Sequence, residues 1–152
     1  MANNSKSPAA VCRFPGRECG NDMSEGKLSE RRMAELNKKN LNRANLTRHN
    51  LIGANLARAN LRGANLSDAN MVTANLREAN LVEAKLYNTN LTDAKLSRAK
   101  LNGADFSKAD TKGADFRNTD LSTTKNLSMQ QIRAARIDET TKLPRSLTAQ
   151  MR

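Results

Sequence analysis

Few residues in this chain have types and spacing suited to chemistry. Cys12 and Cys19 bracket Arg-Phe-Pro-Gly-Arg-Glu, and the Pro15-Gly16 turn would bring the two thiols together. That geometry fits a disulfide or half of a metal site. A closed zinc site takes about four ligands, and the chain's one histidine, His49, lies far along the sequence. The plainer reading is free thiols in a mobile arm, with Phe14 docking on the body. His49 invites a proton-transfer role, but no Cys, Asp or Glu arrangement accompanies it, and it is read as structural. There is no Gly-rich phosphate loop, no His/Cys ligand set and no nucleophile–base pair. The expectation is therefore no catalytic residue, no cofactor, no metal and no enzyme.

What organises the chain is a phrase of five residues, repeated eighteen times without insertion from Ala34 to Thr123. Its central position, i, is occupied by Leu36, Leu41, Leu46, Leu51, Leu56, Leu61, Leu66, Met71, Leu76, Leu81, Leu86, Leu91, Leu96, Leu101, Phe106, Thr111, Phe116 and Leu121. Only Thr111 is not large and apolar. Position i−2 is Ala in fourteen of the eighteen, the exceptions being Lys39, His49, Thr89 and Thr119.

A period of five is incompatible with a helix. Successive centres would drift by about 140° and leave no apolar face. A plain strand would send successive centres to opposite faces. One short extended piece and one turn per repeat fit. The centre and i−2 then face inward, while i−1, i+1 and i+2 face out. Gly53, Gly63, Gly103 and Gly113 all occupy i+2, marking it as a turn site. Aromatic residues make up only 3% of the chain, so Leu and Ala must build a thin interior. Leu56, Leu61, Leu66, Met71, Leu76, Leu81, Leu86, Leu91, Leu96, Leu101, Phe106 and Phe116 are the expected core.

In the pattern A-[N/D]-L-x-x, the chain resembles the pentapeptide-repeat proteins over 90 of its 152 residues. The resemblance implies an all-β solenoid, a right-handed quadrilateral β-helix with four repeats per square coil. Residues 34–123 would make about four and a half coils, with short capping helices at one or both ends. Twenty-residue stacking then places Lys85, Lys95 and Lys100 directly under Asp105, Asp115 and Asp120. Such cross-strand pairs contribute roughly 0.2–1 kcal/mol each.

The four faces differ. One carries Ile52, Val72, Thr92 and Lys112 and is the least charged, a candidate surface for a protein partner or a homodimer. Another carries Lys38, Arg58, Arg77, Lys95, Arg98 and Arg117, with Glu78 and Asp115 interspersed, and is the candidate basic face. Thr111 at a centre is a core defect with a hydroxyl to satisfy, and His49 is large for an Ala niche.

The segments flanking the repeat divide by composition. Residues 1–27 read as a flexible arm. Residues 28–33 read as an N-terminal cap, with Ser29 as N-cap and Leu28 and Met33 as its hydrophobic staple. After Thr123 the frame breaks. Leu127-Ser128-Met129-Gln130-Gln131-Ile132 is a second helix start, with Ser128 and Gln131 forming a capping box. Met129, Ile132 and Ala135 or Arg136 supply its apolar edge. Residues 124–144 resemble the segment that often follows such arrays, matching it at Leu127, Gln131, Ile132, Ala135, Asp138, Thr141, Leu143 and Pro144. That likeness implies a cap of the C-terminal edge, and residues 145–152 are expected to fray.

Net charge is +11, which attracts acidic partners without defining a fold. No apolar run approaches the ~20 residues of a transmembrane helix. No apolar stretch follows the N-terminus either, so the chain reads as soluble and cytoplasmic. Two function classes follow. The first is a non-catalytic scaffold binding a protein partner, with an acidic surface as one fit for the positive charge. The second is binding of nucleic acid or an anionic surface through the basic faces and tail, disfavoured by the scarcity of base-stacking aromatics. Some relatives mimic duplex DNA and protect topoisomerases, which requires an acidic rod, so a basic chain argues against that role.

Overall fold

The computed structural model describes residues 40–151. The readings of Cys12 and Cys19, of the Ser29 cap with Leu28 and Met33, of the centre Leu36 and of Lys38 and Lys39 lie outside the described residues.

From Leu41 onward every repeat makes the same turn. In all but the repeat centred on Phe116, the N–H three residues past the centre donates back to the centre's carbonyl, as Ala59 does to Leu56 at 3.0 Å. The third turn residue, i+2, has positive φ in every repeat from Arg43 to Asn118, between 52° and 68°. Positive φ at this position alone defines a type II turn. Four of these residues are glycine, and the rest carry a side chain in a left-handed conformation that costs roughly 1–2 kcal/mol. What offsets the strain is a bond to the next coil: Arg58 N–H donates to the Arg77 carbonyl at 2.9 Å.

Parallel bridges join residues twenty apart, from Asn40↔Asn60 to Asp105↔Lys125. Four turns per twenty residues make each coil four-sided. Each side is so short that it carries one bridge, at i−1. The repeat can be read as the placement of five N–H groups. Asn75 N–H donates to Ala54 C=O of the coil below, and Leu56 N–H to Asn75 C=O of the coil above. In most repeats the i+2 and i+3 groups are placed as just described; Asn118 N–H instead meets the side chains of Asp138 and Thr140. Only the i+1 N–H is left without a backbone acceptor.

That group goes to the side chain at i−1. Ala57 N–H donates to Asn55 Oδ1 at 3.3 Å, and Ser107 N–H to Asp105 Oδ1 at 3.0 Å. Every Asn or Asp at i−1 from Asn40 to Asp120 accepts in this way. This is the Asx turn. The position is therefore not simply outward-facing, as the sequence reading has it: most of its asparagines are half-buried and all are bonded to their own corner.

The twelve expected core residues are all fully buried. Phe106 and Phe116 come from opposite sides of one coil and meet edge-to-face, centroids 5.8 Å apart. The polar exceptions at i−2 are accommodated individually. Thr89 and Thr119 donate their hydroxyls to the carbonyls of Leu66 and Leu96. His49 is buried, with Nδ1 3.0 Å from the Thr47 carbonyl. Its Nε2 is the one buried side-chain polar atom among the described residues with no hydrogen-bond partner.

Beyond Thr123 the chain keeps bridging while its register slips, with Asp115↔Arg136 and Asp120↔Lys142. Before them lies helix α1 (Met129–Ala134), with Ser128 and Gln131 forming the reciprocal capping box. Ile132 is buried, and Leu127, Met129 and Ala135 pack on the core. Gln131 binds α1 to the last coil. Its Nε2 donates to the carbonyls of Phe106 and Ala109, both at 2.8 Å. Its own carbonyl accepts the Thr111 hydroxyl at 2.8 Å, which satisfies the polar centre. A second short helix, α2 (Arg145–Thr148), stands where the sequence reading expects frayed chain. Leu147 is the reason: it is 5% exposed and joins the core cluster. No helix among the described residues is long and apolar enough to cross a membrane.

Candidate interaction surfaces

The least charged face is a stack built by the i+1 positions. Gly53 N–H donates to Val72 C=O, Thr73 N–H to Thr92 C=O and Asp93 N–H to Lys112 C=O, which aligns Ile52, Val72, Thr92 and Lys112. Ile52 is 44% exposed, Val72 is half-buried and Lys112 is exposed. The Thr92 hydroxyl is occupied by Asn90 Oδ1 at 2.7 Å. The apolar part of this face therefore reduces to Ile52 and the edge of Val72.

On the basic face, opposite charges remove part of what the sequence suggests. Arg58 Nε donates to Glu78 at 3.0 Å. Arg117 holds Asp115 with two bonds of 2.9 Å, in the bidentate form that suits guanidinium and carboxylate. That contact holds the Asp115 carboxyl below its usual range. Arg77 spends its Nε on the Ser97 hydroxyl at 3.3 Å. Lys95 and Arg98 are exposed and form no ion pair among the described residues.

The lysines at i−1 stand in the expected register, with bridges Lys85↔Asp105, Lys95↔Asp115 and Lys100↔Asp120. The expected ion pairs are absent. The aspartates are taken by other donors: Asp105 by Asn126 Nδ2 at 2.9 Å and by Ser107, Asp115 by Arg117, Asp120 by Ser122 and by Lys142 at 3.7 Å. Asp105 and Asp120 are also held below the usual carboxylate range, chiefly by Asn126 and Ser122 respectively. An Asx turn points a carboxylate at its own corner, away from a lysine in the coil below. Sequence reasoning missed this because it treated i−1 as surface. The signal was present in the near-exclusive use of Asn and Asp there.

Tyr87 is the only exposed aromatic among the described residues. Lys108 lies over its ring, 5.3 Å from the centroid, and donates to its hydroxyl at 3.0 Å. No three or more His, Cys, Asp or Glu side chains among the described residues gather to hold a metal ion.

This architecture can be set beside known proteins. The model of the family of pentapeptide repeats matches residues 40–77, 54–93, 74–110 and 89–125, more than half of the chain. The chain belongs to the pentapeptide repeat family. Members of this family form right-handed quadrilateral β-helices. HetL, a pentapeptide repeat protein involved in heterocyst differentiation regulation in the cyanobacterium Nostoc sp. strain PCC 7120, is 31% identical, with a TM-score of 0.43 over 70% of this chain and 54% of HetL. A pentapeptide repeat protein of the Arabidopsis thaliana thylakoid lumen is 21% identical, with a TM-score of 0.39 over 72% of this chain and 64% of that one. QnrB1, a plasmid-mediated fluoroquinolone resistance protein, is 18% identical, with a TM-score of 0.40 over 74% of this chain and 70% of QnrB1. The chain thus spans about half to two thirds of the length of the first two. No curated protein matches it.

Proposed function

We propose that this pentapeptide repeat protein is a non-catalytic scaffold that presents its sides to a protein partner. One observation carries the reading. Backbone bonds and the i−1 side chain satisfy the N–H groups of a standard repeat. The side chains at i+1 and i+2 are thereby released from structural duty, and these are the positions that vary. In this reading the solenoid comprises residues 34–123, about four and a half coils. Residues 124–144 close its C-terminal edge, and the protein is cytoplasmic. The Ile52–Val72 face and the Lys95–Arg98 face are the two surfaces on offer, the first also to a second copy. Nucleic acid fits less well, because the one exposed aromatic among the described residues already has a cation on its ring. A net charge of +11 argues against imitation of an acidic duplex.

The test is affinity capture from native lysate with three baits: the wild type, Ile52→Lys with Val72→Lys, and Arg77→Glu with Arg98→Glu. A partner whose recovery falls with one bait and not the other supports the scaffold reading. Recovery unchanged by both, or a turnover activity in the purified protein, sinks it.

A further inference from the structure

The three repeats with lysine at i−1 lack the carboxamide or carboxylate that accepts the corner N–H in the other described repeats. Two of them, Lys95 and Lys100, are consecutive, so two adjacent corners are affected. No acceptor for the N–H of Ser97 or of Asn102 occurs among the described residues, whereas the equivalent Arg77 N–H is bound by Asn75 Oδ1 at 3.3 Å. Around this point of the rod stand Lys95, Arg98 and Lys100, all exposed, with Arg77 in the coil below Ser97. Arg98 sits at the corner itself, with φ of 60°. Each carboxylate stacked directly on these cations is already engaged. Glu78 beneath Arg98 is bound by Arg58, Asp115 above Lys95 by Arg117, and Asp120 above Lys100 by Lys142 and Ser122. The corner therefore combines an N–H that has no protein acceptor among the described residues with four cations that have no ion-pair partner there.

We infer that this corner is a carboxylate-binding site for an acidic segment of a partner protein, in which a partner Asp or Glu supplies to Ser97 N–H the acceptor that Asn supplies in ordinary repeats. The inference rests on the scaffold reading and deepens it. Lys95 and Arg98 complete the contact as charge-assisted donors, which bind about twice as strongly as neutral ones. A carboxylate suits the corner better than a phosphate backbone. The acceptor to be replaced is a single planar carbonyl-type oxygen, as Asn75 Oδ1 is for Arg77 N–H, and a side-chain carboxylate presents the same kind of oxygen.

The test uses a fluorescent oligoglutamate peptide and a DNA duplex of equal charge as probes, titrated with the full chain at about 0.15 M salt. The deciding variant is Lys95→Asn, which restores the internal acceptor and is expected to fold at least as well as the wild type. It should weaken peptide binding about tenfold or more, the equivalent of 1.4 kcal/mol. Lys112→Asn, with the same charge change on another face, should cost less than about twofold, within the range of a surface charge. In the wild type the Ser97 amide resonance should move on peptide addition, and in Lys95→Asn it should not. Equal weakening by both variants would reduce the effect to net charge and overturn the site. Tighter binding of the duplex than of the peptide, with the same dependence on Lys95, would overturn the carboxylate assignment. No peptide binding at this salt would overturn the corner alone, since the capture experiment judges the scaffold reading through every face.

Discussion

The early coils and the late coils fill the same slot with different chemistry. From Asn40 to Asn80 position i−1 is asparagine throughout; from Asp105 to Asp120 it is aspartate throughout. Both accept the corner N–H, so both serve the backbone equally. They differ in what remains. An asparagine still has donors, and Asn60 gives one to Asn40, Asn75 to Asn55 and Asn80 to Asn60, at 3.2–3.3 Å. Such a stack needs nothing but the next coil. An aspartate only accepts, so it draws further donors: Arg117 and Ser122 from its own corner, and Asn126 and Lys142 from the segment after the repeat. The early coils are self-sufficient, while the late coils depend on the segment that follows the repeat.

Acid should separate the two halves, and this is the largest effect expected because several groups respond together. Asp105, Asp115, Asp120 and Asp138 are all held below the usual carboxylate range, Asp138 chiefly by Thr140. A depressed folded pKa contributes stability above the unfolded value of about 3.9. That contribution is lost as pH falls through the lower folded value. Amide hydrogen exchange across that window should show protection failing first in the late coils. Asp105→Asn with Asp120→Asn, which keeps the Asx acceptor, should flatten the difference.

Next in size is Gln131→Ala, which removes a donor from the carbonyls of Phe106 and Ala109, the first keeping only its bond from Ala109 N–H, and opens the capping box. A loss of about 2 kcal/mol in denaturant unfolding is expected. Unchanged stability would mean that the late coils do not lean on α1. A smaller effect should follow Asn60→Asp. The corner bond survives, the donor to Asn40 is lost, and about 0.5–1.5 kcal/mol should disappear near neutral pH. The smallest concerns Lys85 and Asp105. Because Asp105 is bound elsewhere, Lys85→Glu and Asp105→Lys should be additive within about 0.3–0.5 kcal/mol in a double-mutant cycle.

The frame, the inward centres and the C-terminal capping box were legible because each depends on contacts between near neighbours in the chain. A leucine every five residues and Ser128 with Gln131 are patterns a single stretch contains. The twenty-residue register was legible only through a family resemblance, since nothing within one pentad states how many pentads close a coil. The charges were read least well. Lys95 under Asp115 is correct in register, yet Arg117, two residues along the same corner, takes the carboxylate. Side-chain competition over a few ångströms cannot be read from spacing alone. The carboxylate corner was invisible until the destination of each corner N–H was known. Only then does lysine at i−1 read as a missing acceptor rather than one more surface charge. The fate of Leu147 was missed for a related reason: its burial depends on where the chain returns after Pro144.

The square cross-section has a consequence for how this chain tolerates change in length. Removing one pentad would swing everything beyond it by a quarter turn, moving α1 from one wall to the next and separating every vertical neighbour across the cut. Removing twenty residues would shorten the rod and leave each wall facing as before. Insertions and deletions in such a chain therefore come in two kinds, those that rotate the molecule's face-to-face relations and those that only rescale them. Surfaces composed of residues from several coils can survive only the second.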